Sequence, residues 1–128
     1  MVRYSDKLGL AMNIKEKMLN AVFFQTETGV EPVRNWLREL SKTDKKIIGE
    51  DIKTVQLGWP IGMPLVDSLG SGLWEIRTKL SGGRIARIVF FMDNNTMVLV
   101  HGFIKKTPKT PKQELDLAKK RKKQYNSQ

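Results

Sequence analysis

The sequence predicts an α+β fold: an N-terminal strand and a two-helix hairpin packed on one face of a mostly antiparallel sheet, a three-stranded meander, and a C-terminal helix. Three observations lead there. Apolar residues from Val33 to Val55 recur at helical spacing. Those from Trp74 to Ile104 alternate or run on at strand spacing. The strand-forming half follows the helical half instead of interleaving with it. At 128 residues the chain is enough for one core and too short for two. We therefore expect a single domain over 19–128, with 1–18 as an N-terminal extension in which weak alternation (Leu8, Leu10, Met12) competes with a helical reading (Ile14, Met18).

The elements follow in order. Ala21–Thr26 is short, apolar and rich in β-formers, and is read as a buried strand that ends at Thr28-Gly29. Pro32 suits the first turn of a helix, and Val33, Trp36, Leu37 and Leu40 then fall on one stripe. Thr43 is the expected N-cap of a second helix, with Asp44 in its first turn, Ile48, Ile52 and Val55 as its stripe and Gly58 as its stop. A two-residue linker makes these helices an antiparallel hairpin. Residues 59–72 hold two prolines and three glycines and are read as an apolar loop. In it Trp59 is read as structural, with stacking on a base as the alternative.

The second half is β. In Gly72–Leu80, Trp74, Ile76, Thr78 and Leu80 point one way, and Glu75, Arg77 and Lys79 the other. Ser81-Gly82-Gly83 connects to Arg84–Met92, whose long apolar run indicates a central strand covered on both faces. Asp93-Asn94-Asn95 turns the chain into Thr96–Ile104, where Gly102 marks a bulge or a close backbone approach. Thr110 is then the expected N-cap, Pro111 the first helical position and Gln113 the partner in a capping box. The helix that follows, to about Tyr125, has few apolar residues and is expected to dock loosely or move. The face carrying Glu75, Arg77 and Lys79 is then the candidate functional surface.

Composition narrows the chemistry. There are no cysteines, which excludes disulfide-stapled modules, zinc ribbons, iron–sulfur clusters and thiol nucleophiles. The single histidine, His101, excludes a multi-histidine metal site within one subunit. No apolar run is long enough to cross a bilayer and the N-terminus has no signal-peptide pattern, so a cytoplasmic location is expected, without membrane partners. The net charge is +10, and Lys105–Lys123 alone carries nine basic and two acidic residues, a net +7. Such a concentration attracts polyanions, nucleic acid above all, although a run such as Lys119–Lys123 also occurs on ordinary solvated helices.

The blocks Leu73-Trp74-Glu75-Ile76-Arg77, Gly83–Phe91 and His101–Pro111 (HGFIKKTPKTP) carry a family resemblance. Over about residues 20–123 the chain resembles the phage-derived Gp49-like branch of the HigB toxins, within the RelE/ParE toxin superfamily. The resemblance implies the toxin of a type II toxin–antitoxin pair that cuts mRNA on the ribosome. The 2′-hydroxyl would attack the adjacent phosphate, with neither metal nor cofactor. It also implies a HigA-like helix-turn-helix antitoxin as partner, with operator DNA reached only through that antitoxin. A ParE-like gyrase poison and a non-catalytic RNA binder are the alternatives on the same fold.

In-line attack builds negative charge on the phosphoryl oxygens, so preorganised cations are the main requirement. Arginine suits this role, because its fork binds phosphate bidentately. Arg77, Arg87, Lys105 and Lys106 are the catalytic candidates. Arg84 and Arg87 are three residues apart, so only one shares Arg77's face in a regular strand. By resemblance, Arg87 holds the basic position of the family's central strand, and the parity it shares with Val89 and Phe91 indicates partial burial. RNA contacts are expected from Lys79, Arg84, Thr107, Lys109, Lys112, Lys119, Lys120, Arg121, Lys122 and Lys123. Acid–base work falls to Glu75, His101 or Tyr125. Of these, Glu75 has simple pairing with Arg77 as its alternative role. His101 shares the parity of Met97, Leu99 and Phe103, which favours a structural role, and Tyr125 would need its helix to fold back.

Overall fold

The computed structural model describes residues 18–128, so the expected extension lies, but for Met18, outside the described residues. Five strands form one mixed sheet in the order β1-β5-β4-β3-β2: β1 Asn20–Phe23, β2 Val66–Gly70, β3 Leu73–Lys79, β4 Ile85–Asp93 and β5 Thr96–Lys105. β1 runs parallel to β5, and the other pairs are antiparallel. The three helices are α1 (Pro32–Arg38), α2 (Lys42–Gly58) and α3 (Lys112–Asn126).

The α1–α2 hairpin covers one face. Val33, Ile48 and Val55 meet Ile76, Ala86, Ile88, Phe90, Met97 and Leu99 there, with Trp36, Trp59 and Trp74 packed around them. Pro32 opens α1 as its position predicts. α2 is capped by Ser41, whose hydroxyl accepts the Asp44 N–H at 3.1 Å. Thr43 is not the cap, because Lys42 is already helical and Thr43 falls in the first turn. Trp59 does not offer a ring for stacking: it packs edge-on against Trp74 and Phe90, at 5.2 and 5.4 Å between centroids.

The sheet departs from expectation at its edges. β1 is shorter than Ala21–Thr26 and largely exposed, since it is paired on one side only; Phe24, just beyond it, turns into the core. β2 lies inside the segment read as a loop. It is a five-residue edge strand with a register shift between Ser68 and Gly70, too short and irregular to leave a clear alternation. β4 is the central strand and is covered on both faces, as its apolar run indicates.

The larger correction concerns α3. It does not dock loosely. Ala118 is fully buried, and Leu115 and Tyr125 pack with it against Phe24, Leu73, Val89, Phe91, Val98, Val100 and Phe103 on the second face of the sheet. The stems of Arg121 and Lys122 add apolar area that a count of Leu and Ala overlooks. Thr110 does not cap this helix. Pro111 occupies the cap position without a side-chain bond, and the capping box with Gln113 does not form. Among the described residues, no helix is long and apolar enough to cross a membrane.

Candidate functional site

The cluster begins with strand register. Arg77 on β3 lies directly opposite Arg87 on β4, so the two share the α3 face. Arg84 lies on the other side, as the three-residue spacing requires. The third strand needs a bulge to contribute. Val89 pairs with His101 and Phe90 with Leu99, which leaves Val100 unpaired. Beyond that extra residue the alternation inverts. Met97 and Leu99 face the helix hairpin, whereas His101, Phe103 and Lys105 face α3 with Arg87. The signal at Gly102 is met by a close approach: a Cβ there would stand 2.5 Å from the Trp36 ring.

At the centre, Arg87 is fully buried. Its Nη2 donates to the Thr107 carbonyl, its Cζ lies 5.5 Å from the centre of the Phe103 ring, and Nε and Nη1 have no partner among the described residues. Burial pushes its guanidinium below the ordinary arginine range, the Arg77 charge adds to that, and the Glu75 carboxylate opposes it. Glu75 is also buried. Its Oε1 accepts from Arg77 Nη1 at 2.8 Å and its Oε2 from Thr110 Oγ at 2.6 Å. Arg77 is mostly buried against Glu75, and Lys79 is exposed; both border an open cleft of about 380 Å³ at the sheet edge, with Pro64, Leu65 and, from α2, Ile47 and Asp51. Wider hollows at β1 and on α2, of about 440 and 460 Å³, lie away from this cluster. Lys105, Lys106, Thr107 and Lys109 are exposed at its rim.

His101 lies on the same face but is spoken for. Arg121 Nη1 donates to the Val100 carbonyl at 2.8 Å and contacts His101 Nδ1 at 3.2 Å, while Nε2 lies 2.7 Å from Glu114 Oε2. With Nδ1 accepting from arginine, Nε2 carries the proton toward Glu114. Arg121 thus holds the carbonyl of the bulged residue. Burial pushes the imidazole pKa down, the Glu114 bond and charge work against that, and Arg121 reinforces it. The ring also stacks on Phe103. A structural role is therefore what this geometry gives His101, although the parity argument for it fails at the bulge.

Residues 35–123 match the family model of the phage-derived protein Gp49-like (DUF891). The chain belongs to the Gp49-like family. This is a RelE/ParE-like toxin branch, and the match spans every residue of the cluster just described. No protein of curated function matches the chain.

In this Gp49-like protein the remaining expected site residues divide sharply. Arg84 does not offer itself to RNA. It grips Asp44 of α2 bidentately, at 2.8 and 3.1 Å, and Ser81 with its remaining donors, clamping the β3–β4 turn to the hairpin. The hydrogen bond from Arg84 holds the Asp44 carboxyl below its usual range, and the paired carboxylate raises the arginine. Tyr125 does fold back, but onto the far end of β4: its hydroxyl donates to Asp93 at 2.7 Å and its ring meets Phe91. Six residues of strand separate Asp93 from Arg87, roughly 20 Å, so Tyr125 is no acid or base for that site. Within the basic run, Arg121 and Lys122 are structural. Lys122 Nζ donates to the Ser71 carbonyl at 2.6 Å and sits over the Phe91 ring. Lys119, Lys120 and Lys123 face outward, as does Lys112, which pairs with Asp116 at 3.1 Å. Sequence reasoning assigned no site role to Thr110 or Glu114. The flanking Pro108 and Pro111, which stiffen Thr110's connector, are the only signal that singles it out.

Proposed function

We propose that this chain is the toxin of a type II toxin–antitoxin pair, on a RelE/ParE-like fold, and that it cleaves mRNA on the ribosome. One observation carries the reading: two arginines face one another across adjacent strands, with a buried carboxylate bonded to Arg77 and exposed lysines nearby. In the proposed step Glu75 takes the 2′-hydroxyl proton and the 2′ oxygen bonds to phosphorus. The bond to the 5′ oxygen breaks, and Lys105 supplies that oxygen's proton, leaving a 2′,3′-cyclic phosphate. Arg77 and Arg87 stabilise the charge that gathers on the phosphoryl oxygens. Lys79, Lys106 and Lys109 hold neighbouring phosphates, and Lys119, Lys120 and Lys123 add ribosomal contacts. A helix-turn-helix antitoxin is the partner that restrains it.

A second reading, a non-catalytic RNA binder, is favoured by the burial of Arg87 and by the commitment of His101 and Tyr125 to structural partners. Purified protein in a translating extract separates the two. The endonuclease yields mRNA fragments with cyclic phosphate ends, and Arg77→Ala lowers the cleavage rate by about 10²–10³-fold, the effect of losing one preorganised donor. Intact mRNA at protein levels that halt growth overturns the endonuclease.

A further inference from the structure

The two groups at the heart of this chemistry are both stoppered by one short connector. Thr107–Pro111 links β5 to α3. Its first residue gives a carbonyl to Arg87 Nη2, and its fourth, Thr110, gives a hydroxyl proton to Glu75 Oε2 at 2.6 Å. Residues 107–109 are exposed, and among the described residues no backbone–backbone hydrogen bond ties 107–110 to another element. The connector is held over the pair by side-chain bonds alone.

What lies beneath is unfinished. Arg87 has the largest fully buried side chain, yet two of its nitrogens have no partner among the described residues. A buried donor left unpaired is costly, and for a charged group more so. The charges do not cancel either: two guanidinium groups against one carboxylate leave a single positive charge. A phosphodiester carries one negative charge and several acceptor oxygens. It would neutralise the excess and occupy the free donors with charge-assisted bonds stronger than a neutral carbonyl makes.

We infer that Thr107–Pro111 is a lid closed over an anion subsite, and that one phosphodiester of an RNA backbone displaces it. The Thr107 carbonyl occupies, on Arg87, the position of a phosphate oxygen, and Thr110 covers the carboxylate until substrate arrives. Lys105, Lys106, Lys109 and Lys112, on and beside the lid, gather the backbone that opens it. The identity of the ligand rests on the reading of the arginine pair as an RNA site. The closed lid does not.

The lid is tested by labelling the full chain with phenylglyoxal, which modifies accessible guanidinium groups, and locating the adducts by mass spectrometry. Arg87 is expected to react far more slowly than the exposed Arg38. Thr110→Val removes one of the two closing bonds and should speed Arg87 labelling about tenfold, the shift given by one lost hydrogen bond to a charged group. Arg38 and Arg84 should be unchanged, and Thr110→Ser should match the wild type. Equal rates at Arg87 in wild type and Thr110→Val overturn the lid. So does acceleration at every arginine, which would make the connector part of the core. A single-stranded, fully 2′-deoxy oligonucleotide, which cannot be cleaved, then tests the ligand. It should bind Thr110→Val about tenfold more tightly, because less closed state must be opened; equal or weaker binding refutes the displacement. Neither measurement depends on cleavage, so an inactive protein would sink the endonuclease and leave the lid standing.

Discussion

On the hairpin side of the sheet, Ile76, Ala86, Ile88 and Phe90 meet apolar partners from α1 and α2. One residue away along the same strands, on the α3 side, stand Glu75, Arg77, Arg87 and Val89, and α3 answers with Leu115 and Ala118 but also with Glu114 and Arg121. The first face is an ordinary core. The second is a core only at the end where Phe91, Leu73 and Tyr125 lie, and becomes a charged pocket toward the end of β5. One sheet thus carries an apolar core on one face and a charged pocket with unsatisfied donors on the other.

That division can be broken by substitution on the central strand. Ile88→Ala, on the hairpin face, should lower the free energy of unfolding by about 2–5 kcal/mol, as cavities in packed cores do. Urea titration reads it, and growth inhibition should fall only as far as the folded fraction falls. Arg87→Met, one residue earlier, should leave stability unchanged or raise it by about 1 kcal/mol, because an apolar side chain of similar volume avoids burying a charge. The same change should abolish growth inhibition. A loss comparable to that of Ile88→Ala would place Arg87 in the framework of the fold and erase the contrast between the faces.

The smallest effect sharpens the comparison at α3. Burial holds the folded His101 pKa below the unfolded value of about 6.5. Between those values the unfolded chain takes up a proton that the folded protein refuses, so stability is fully present above about 6.5 and is lost as pH falls through the folded pKa. The groups facing the ring are Glu114 and Arg121 from α3 and Phe103 from β5. The melting temperature should therefore fall from pH 7 to pH 5 more steeply in the wild type than in His101→Gln. Parallel curves would mean that the ring takes its proton without disturbing the helix.

Much of the hairpin face was legible in the sequence because period alone defines it: the stripes of α1 and α2 and the even positions of β3 and β4 sort without knowledge of the partner. Counting shows that only one of Arg84 and Arg87 shares Arg77's face, and the family resemblance chooses Arg87; Glu75 beside Arg77 follows from the same alternation. Other parts of the site were not legible. His101 was set aside on a parity that the unpaired Val100 cancels, and Lys105 shares the arginines' face only through the same bulge. Arg121 and Lys122 sit in a run of like charges, where nothing distinguishes a residue pinned to a backbone carbonyl from neighbours in solvent. β2 escaped notice because five residues with a register shift carry too little alternation.

The unpaired Val100 has a consequence for change in this protein over time. It is a spare residue in β5, so losing Val100 alone would restore a regular ladder and leave the allegiance of everything downstream unchanged. His101, Phe103 and Lys105 would still share the face of Arg87, and Gly102 would still meet Trp36. A loss at that codon would keep the same groups in the pocket and remove only the carbonyl that Arg121 holds.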